Sequence, residues 1–554
     1  MPYLVRLAPG RAHQRRTNSI TLSYMHPLRD IGCHPLRPIR LFLLVLAFAT
    51  NTALADSHLL WFFGDRPNPQ ALEAIEILQA AASEGLNPQD YDAVALSSAV
   101  LLAQQTATAT PLARQQLDAA ITKAMQRYLS DLQIGRIEPR QIHADFTPVQ
   151  RDTSDIPHQL RLAVDGKRLS DAVQQIASQL PMARPLREAL ASYRALETDT
   201  AWQTPLPLPD KGKLEPGQQY PALAELVRRL QVMGDLDSAL PAARLYEGPL
   251  VDALERFQQR HGLDRDGVLG RLTLAQLNVT PGQRAHQIAL TLERLRWTPY
   301  QQAPRMVVVN LPEFMLRAYE VDQGRVQIRL AMKISVGKAL DTRTPLFDED
   351  MRYIEFSPYW NVPRSIASRE LVPRLRSDPA HFADQGFEFV TRQGLVVDTL
   401  STTQLDAVMA GQSRIRQRPG PKNALGDIKF VLPNNGNIYL HHTPAVGQFS
   451  RTRRDLSHGC IRVEEPVALA RFVLRDESEW TEDRIREAMQ SGTSRTIRLK
   501  QPLAVLIAYS TVVFKQGMVH FFADLYGHDA LLDQTLRARS ATLAKARLQA
   551  AAIP

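Results

Sequence analysis

Two short stretches, Ile438-Tyr439-Leu440-His441-His442-Thr443 and Ser457-His458-Gly459-Cys460-Ile461-Arg462, organise the fold expected for this chain. Cys460 follows His441 by 19 residues, a separation that suits two adjacent strands or a strand and its return loop. Either arrangement brings an imidazole within reach of the thiol. A thiol, with an ordinary pKa of about 8.5, needs a neighbouring base or positive field to act as a nucleophile. The two stretches therefore predict a nucleophilic cysteine activated by a histidine.

The residues around Cys460 suit acyl transfer. Gly459 permits a tight turn and close approach of a substrate backbone. The N–H groups of His458, Gly459 and Cys460 can then point at one spot, as in an oxyanion hole. Arg462 lies two residues further on, on the same side of a strand as Cys460, and can bind a carboxylate through two parallel hydrogen bonds.

Two other interpretations of Cys460 remain open from the residues alone. A lone cysteine is often a small buried apolar residue, although the polar neighbours argue against an apolar pocket. His441, His442, His458 and Cys460 are also suitable zinc ligands. Adjacent histidines on a strand point to opposite faces, which disfavours a shared ligand set. We therefore favour the nucleophile and expect no metal and no cofactor.

Residues 1–55 have the features of a secretory leader. Arg37 and Arg40 precede the apolar run 41–49, which is shorter than the roughly 20 residues of a membrane span. Ala53-Leu54-Ala55 then provides a small-x-small cleavage site. We predict a signal peptide cleaved after Ala55, with an uncleaved anchor as the alternative, and an exported protein without a stable membrane span.

Loss of this leader would change the charge and the cysteine content. The sequence has 66 basic and 57 acidic residues, a net charge of +9, and the leader holds seven of the bases and one of the acids. The mature net charge would be +3, so we expect no nucleic-acid partner. Cys33 would also be lost, which leaves Cys460 unpaired in an oxidising compartment. A start at Met25 is an alternative that shortens the leader.

A length of 554 residues predicts several domains, because single cores stop growing well below this size. Residues 56–203 show helical periodicity and predict a helical scaffold domain. The proline-rich segment 204–218 predicts an extended linker. Residues 219–280 predict a module of three helices. Its sequence Phe257-Gln258-x-x-His261-Gly262-Leu263, with Asp266-Gly267-x-x-Gly270 and Thr273-Leu274, resembles the type 1 peptidoglycan-binding domain family.

Residues 300–500 change to a strand pattern. Alternating or β-branched runs predict strands at Arg305–Asn310, Phe314–Tyr319, Gln327–Ile334, Met351–Phe356 and Gly436–Leu440. They indicate a β-rich domain, either a sandwich or an open barrel. A more helical, charged insertion at about 368–418 predicts a cap. Residues 501–554 predict a closing strand and helix, and the fold class is multidomain α+β.

His441-x-Thr443 followed by Ser457-His458-Gly459-Cys460-x-Arg462 resembles the L,D-transpeptidase (YkuD-type) catalytic domain. The whole layout is similar to that of the large periplasmic L,D-transpeptidases of Gram-negative bacteria. The resemblance implies a mobile cap and assigns roles to individual residues: Cys460 the nucleophile, His441 the general base, the backbone of His458 and Gly459 the oxyanion site, and Tyr439, Trp360, Ser457 and Arg462 the substrate-binding residues.

The implied reaction is a 3→3 cross-link between peptidoglycan stem peptides through a Cys460 thioester, with release of D-alanine. Carbapenems are then expected to acylate Cys460. The partners implied are peptidoglycan stem peptides, glycan and other wall synthases. Three alternatives stay open: water as acceptor, a protein lysine as acceptor, or a non-catalytic wall-binding protein.

Overall fold

The computed structural model describes residues 59–106, 110–148, 150–177, 182–237, 244–300, 303–323 and 325–551. The predicted leader, with Cys33 and the cleavage site after Ala55, lies outside these residues. Within the described ranges, none of the helices combines the length and the apolar character that a membrane span requires.

The N-terminal region is helical, as predicted. A small hairpin, β1 (Phe62–Phe63) with β2 (Arg66–Pro67), precedes its helices. Thr110 starts the longest of them, because its hydroxyl accepts from the Ala113 amide and Pro111 occupies the first turn. Trp61, Tyr91 and Tyr128 are buried in the shared core. The helices are α1 (Pro69–Gln79), α2 (Ala93–Gln105), α3 (Pro111–Ile134), α4 (Ile156–Asp165), α5 (Leu169–Ala177) and α6 (Ala183–Ala195).

A module of three helices follows, α7 (Leu223–Val232), α8 (Pro249–Arg260) and α9 (Arg271–Leu277). The Gln258 side chain holds its central turn, donating to the Val268 carbonyl and accepting from the Gly267 amide. The proline-rich segment 204–218, predicted as an extended linker, packs onto this module. Leu206 and Leu214 are buried in the core of this module, because apolar side chains among the prolines gain more from burial than from exposure.

Helix α10 (Pro281–Trp297) joins the regions described so far to the β-rich domain. A reciprocal capping box between Thr280 and Gln283 starts it. Most of its second half is buried, including Glu293, which is 0% exposed and forms ion pairs with Arg136 and Arg296. Since a buried carboxylate is costly without partners, the ion pair with Arg136, which follows α3, helps to hold α10 against the scaffold.

The β-rich domain begins with four strands. The first is buried along almost its whole length, whereas the second alternates between buried and half-exposed residues, as a strand with one covered face should. The strands are β3 (Arg305–Asn310), β4 (Met315–Asp322), β5 (Arg325–Gly337) and β6 (Phe347–Phe356).

The predicted cap is a small domain with its own core. A four-stranded sheet within it, which the sequence pattern did not predict, packs against short helices around Phe382, Phe389 and Ile415. It spans β7 (Trp360–Asn361), α11 (Arg364–Ile366), a π turn (Ala367–Leu371), α12 (Val372–Ser377), α13 (Ala380–Asp384), β8 (Phe387–Thr391), β9 (Val396–Val397), α14 (Thr402–Met409) and β10 (Ser413–Gln417).

The main sheet then resumes and the chain ends in a long helix. The predicted strand Gly436–Leu440 is mostly a turn, because Asn437 adopts a positive φ of 50° and only the last residue enters the sheet. The elements are β11 (Ile428–Val431), β12 (Leu440–His441), β13 (Asp455–Ser457), β14 (Ile461–Val463), α15 (Pro466–Val473), α16 (Glu482–Gln490), β15 (Arg495–Ala508), β16 (Val512–Lys515), β17 (Met518–Phe521) and α17 (His528–Ala551).

The main sheet has the order β13-β5-β14-β12-β11-β6-β15-β3-β4, and β4 also pairs with β5. The pairing therefore closes on itself and encloses the largest apolar core of the described residues. β15 begins at Arg495 and lies between β6 and β3, so the expected boundary near residue 500 is wrong: this strand is central to the β-rich domain. The multidomain α+β class is confirmed.

Candidate active site

The two stretches that the sequence singled out pair side by side in the main sheet. β12 and β14 are parallel, with Leu440 opposite Ile461 and His441 opposite Arg462. Leu440 and Ile461 are fully buried in the core. Side chains alternate along a strand, so His441 and Arg462 point to the face of the sheet opposite this buried pair. Tyr439 and Cys460, which directly precede Leu440 and Ile461, point to the same face as His441 and Arg462.

His441 is held as a neutral base. Its ring is 4% exposed, and Nδ1 lies 2.5 Å from the carbonyl oxygen of His442. A carbonyl only accepts, so Nδ1 carries the proton and Nε2 keeps its lone pair. Burial, and after it the charge of Arg462, lower the pKa of His441 to about 3. The imidazole is therefore unprotonated at neutral pH.

His442 has a separate environment. Its Nδ1 lies 3.4 Å from the Asp427 carboxylate. Gly426 has a φ of +62° and leaves room for the ring, because a Cβ there would lie 2.6 Å from Nδ1. The ring is thus packed against the Gly426–Asp427 turn rather than beside His441. Among the described residues, no group of three His, Cys, Asp or Glu side chains is arranged to hold a metal ion.

Cys460 is half-buried, with Sγ 3.7 Å from the Asn437 carbonyl. Burial raises the pKa of the Cys460 thiol, while hydrogen bonding from Tyr439 and the charges of Lys429 and Arg462 oppose that rise. The Lys429 ammonium lies 4.4 Å from the centre of the Tyr439 ring. At neutral pH this face of the sheet therefore carries a protonated thiol and a neutral imidazole.

The turn before Cys460 is built differently from the expectation. The Ser457 hydroxyl donates to the Cys460 carbonyl at 2.6 Å and accepts from the Gly459 amide at 3.1 Å. The Gly459 N–H is thus already occupied, which corrects its predicted place in the oxyanion site. In the described part of the chain, the amides of His458 and Cys460 have no hydrogen-bond partner. Ser457, 2% exposed, shapes the turn and presents little surface to a substrate.

The segment from Gly337 to Thr344 supports this turn through hydrogen bonds. Thr344 Oγ1 donates to the Gly459 carbonyl at 2.7 Å and accepts from the Gly337 amide at 2.9 Å. The Tyr526 hydroxyl donates to the Gly337 carbonyl at 2.7 Å. Gly337 cannot be replaced without rearrangement, since a Cβ would lie 1.9 Å from the Thr342 carbonyl oxygen. Sequence reasoning assigned no role to Thr344 or Tyr526, because neither belongs to a recognisable motif.

The other predicted substrate residues lie at the edges of the site. Arg462 Nη1 donates to Gln448 Oε1 at 3.0 Å, and its Nε is buried without a partner in the described residues. Trp360 is half-buried in the cap, 6.5 Å from the Phe387 ring. Exposed His458 reaches the cap as well, with Nε2 2.8 Å from Glu370. The structure thus brings His441, Tyr439, Cys460 and Arg462 together and leaves Trp360 in the cap.

Comparison with protein families agrees with this geometry. Residues 304–494 match the L,D-transpeptidase catalytic domain (YkuD), residues 53–190 match a scaffold domain, and residues 219–277 match a putative peptidoglycan-binding domain. The chain therefore contains an L,D-transpeptidase catalytic domain and a peptidoglycan-binding domain.

Among curated proteins, the chain is 30% identical over 243 residues to a putative L,D-transpeptidase of Haemophilus influenzae. The match covers 44% of this chain and 48% of the relative, so the chain spans about half the length of the curated relative.

Two solved structures are also similar. An L,D-transpeptidase (residues 123–326) from Xylanimonas cellulosilytica is 18% identical, with a TM-score of 0.18 over 54% of this chain and 99% of that one. A fused Zn-dependent amidase/peptidase/peptidoglycan-binding domain-containing protein from Clostridium acetobutylicum is 14% identical, with a TM-score of 0.16 over 53% and 99%.

Proposed function

We propose that this protein is a peptidoglycan L,D-transpeptidase that forms 3→3 cross-links through a thioester on Cys460. The observation that carries the proposal is the β12–β14 pairing, which puts a buried neutral imidazole and the half-buried thiol on one face of the sheet. The match of residues 304–494 to the L,D-transpeptidase catalytic domain supports the reaction class.

In the acylation step, His441 Nε2 takes the Sγ proton as the sulfur attacks the carbonyl carbon before a terminal D-alanine. The amides of His458 and Cys460, which have no other partner among the described residues, donate to the developing oxyanion. Collapse breaks the C–N bond, and the His441 imidazolium returns the proton to the departing amine. The products are a Cys460 thioester and free D-alanine.

In the second step, an amine of a neighbouring stem peptide attacks the thioester, and His441 accepts its proton. A new amide forms, and the returning thiolate takes the proton from the imidazolium. Since water would divert the thioester to hydrolysis, the site must exclude it while the acceptor enters. The cap contact between Glu370 and His458, directly beside the reacting turn, supports a shielding role for the cap.

The peptidoglycan-binding domain supports stem peptides and glycan as ligands, and an extracytoplasmic location follows from that polymer. We further propose export to the periplasm by the leader 1–55 and contact with other wall synthases. Trp360 and Tyr439 remain proposed substrate-side residues, and Arg462 remains the proposed carboxylate-binding residue.

Formation of a covalent adduct tests this function. We expect intact-mass spectrometry to show one carbapenem adduct on the wild type and none on Cys460→Ser. With donor and acceptor muropeptides, cross-linked dimers and free D-alanine should appear together. Free D-alanine without dimers would indicate water or a protein lysine as the acceptor. A wild type that forms no adduct would refute the catalytic proposal and favour a wall-binding protein.

A further inference from the structure

Helix α2 of the scaffold domain is apolar on its outer side as well as on the side that packs into the core. The residues of α2 that are buried in the helical core are Ala93, Leu96, Val100 and Ala103. A helix at a protein surface normally carries polar or charged side chains on the opposite side. The exposed residues of α2 include instead, at helical spacing, Val94, Ala95, Ser98, Leu101 and Leu102. We call these five residues the outer α2 face.

The outer α2 face lies in a long stretch of sequence without charge. Residues 93–113 contain no Asp, Glu, Lys or Arg. Within this stretch the large side chains of Val94, Leu101 and Leu102 are each more than half exposed. Exposed apolar side chains that share one helix face, with no charge between them, are typical of a surface that another molecule covers.

The charges at the two ends of this stretch are paired within the chain. At the N-terminal end, Arg547 Nε forms an ion pair with the Asp92 carboxylate at 2.5 Å. At the other end, Arg114 forms one with Asp65 at 2.8 Å. The surface thus has an apolar centre between neutralised charges, and depletion of charge at the centre is a property of protein–protein interfaces.

Two further apolar side chains extend this surface. Phe63 on the β1–β2 hairpin and Leu112 in the first turn of α3 are also more than half exposed. The hairpin and α3 both contact α2, and the ion pair between Asp65 and Arg114 joins the residues beside them. With the three large residues of α2 they expose roughly 500 Å² of apolar side chain, near the upper limit for a monomeric protein.

The outer α2 face is complementary to itself. A two-fold axis at Ser98 would pair two copies of α2 in an antiparallel arrangement. Leu101 then lies opposite the small Ala95 of the second copy, and Val94 lies opposite Leu102 of the second copy. Because the side chain of Ser98 is small, the helix axes can approach to the usual distance of about 8–10 Å.

The lack of charge also distinguishes between classes of partner. A helix that lies on a membrane surface normally has lysines or arginines on its polar side, and residues 93–113 contain neither. A nucleic acid or an acidic protein would also require cations. The surface therefore suits an uncharged apolar partner, and a second copy of this chain supplies such a face.

We propose that the outer α2 face is a homodimer interface, in which α2 of one copy packs antiparallel on α2 of a second copy about Ser98. A standard interface buries about 800 Å² on each partner. The apolar side chains supply the centre of such an interface, and the exposed polar residues Gln105 and Thr106 supply part of its rim. The inference concerns assembly and does not depend on the proposed reaction.

Sedimentation analysis of the full chain tests the interface. The variant combines Leu101→Glu with Leu102→Glu, and the matched control combines Leu272→Glu with Leu395→Glu, two exposed leucines outside the scaffold domain. At micromolar concentrations we expect a mass twice that of the chain for the wild type and the control. The variant should dimerise at least about a hundredfold more weakly, because the interface would bury unpaired carboxylates.

Cross-linking tests the position of the two-fold axis. In the full chain with Cys33→Ala and Cys460→Ala, we compare Ser98→Cys with Ser192→Cys on α6. Both serines are exposed and donate to the carbonyl four residues earlier, which makes them matched sites. Copper phenanthroline should oxidise Ser98→Cys to a disulfide-linked dimer and leave Ser192→Cys monomeric, since a disulfide needs Cα atoms within about 7 Å.

Several results would overturn this inference. One is a wild type that stays monomeric at these concentrations, and another is a dimer that persists in the double glutamate variant. Equal cross-linking at the two cysteine positions would exclude the antiparallel α2 pair. A monomeric wild type that binds phosphatidylcholine vesicles through Leu101 and Leu102 would make the face a membrane surface instead. If the glutamates disturb folding, Leu101→Ala with Leu102→Ala should still weaken dimerisation severalfold, and unchanged dimerisation in that variant would refute the interface.

Discussion

Replacement of Thr344 by valine should weaken the turn before Cys460, because it removes hydrogen bonds while the side-chain volume stays nearly the same. Thr344 is 0% exposed, and valine has nearly the same volume. The change removes the donor to the Gly459 carbonyl and the acceptor of the Gly337 amide, both in a buried region. Each orphaned group costs about 1–3 kcal/mol. With ~1.5 kcal/mol for each, the loss is about 3 kcal/mol.

The chain provides a matched control two residues away. Thr342 Oγ1 donates to the Ser457 carbonyl at 3.0 Å, but that carbonyl also accepts from the Lys338 amide. Thr342→Val therefore removes one hydrogen bond and leaves no orphan, at a cost of about 1 kcal/mol. The two variants differ in the groups they leave unpaired, while the chemical change is the same.

Calorimetry and acylation kinetics measure both effects. For a domain of this size, 1 kcal/mol corresponds to about 2–4 °C, so the transition of the β-rich domain should fall by about 6–12 °C in Thr344→Val and about 2–4 °C in Thr342→Val. Carbapenem acylation should slow at least about tenfold in Thr344→Val, because Gly459 directly precedes the nucleophile. Equal Tm values and equal acylation rates in the two variants would show that Thr344 does not support the turn.

Three other predictions concern the site and the cap. His441→Ala should slow acylation by about 10²–10⁴-fold and His442→Ala by less than about tenfold; the reverse order in stopped-flow acylation would identify His442 as the base. Because burial raises the pKa of Cys460, iodoacetamide alkylation should rise at higher pH in the folded chain than in urea. The stability that this thiol contributes should be lost as pH increases through its pKa in the folded chain. Coincident alkylation midpoints in the folded and unfolded chain would contradict this. Glu370→Ala should increase deuterium exchange over residues 364–377. The control Glu487→Ala, which changes an exposed residue on α16, should not. Equal exchange in the two variants would mean that the contact between Glu370 and His458 does not hold the cap.

The sequence was sufficient for features that depend on local pattern. Alternating runs predicted β3 and β4, and the spacing of His441 and Cys460 suited adjacent strands, which β12 and β14 are. Side-chain alternation also separated His441 from His442, because neighbours on a strand point to opposite faces.

Features that depend on distant contacts could not be predicted. Ser457 was expected to face a substrate, yet its hydroxyl closes the turn, a role that only the backbone geometry defines. Thr344 and Tyr526 act on Gly459 and Gly337 across large sequence separations, and neither has a motif of its own. The packing of segment 204–218 was not foreseen, because proline content indicates stiffness but not whether Leu206 and Leu214 are buried in a core.

The central position of β15 affects the order in which the protein can mature. β15 pairs with β3 in parallel and with β6 antiparallel, so both earlier strands keep an unpaired edge until residues 495–508 are present. Tyr526 emerges later still, and without it the Gly337 carbonyl loses its donor. A nascent or truncated chain that ends at residue 494, where the catalytic-domain match stops, thus carries Cys460 on an incomplete support. The topology delays a working nucleophile until nearly the entire polypeptide has been made.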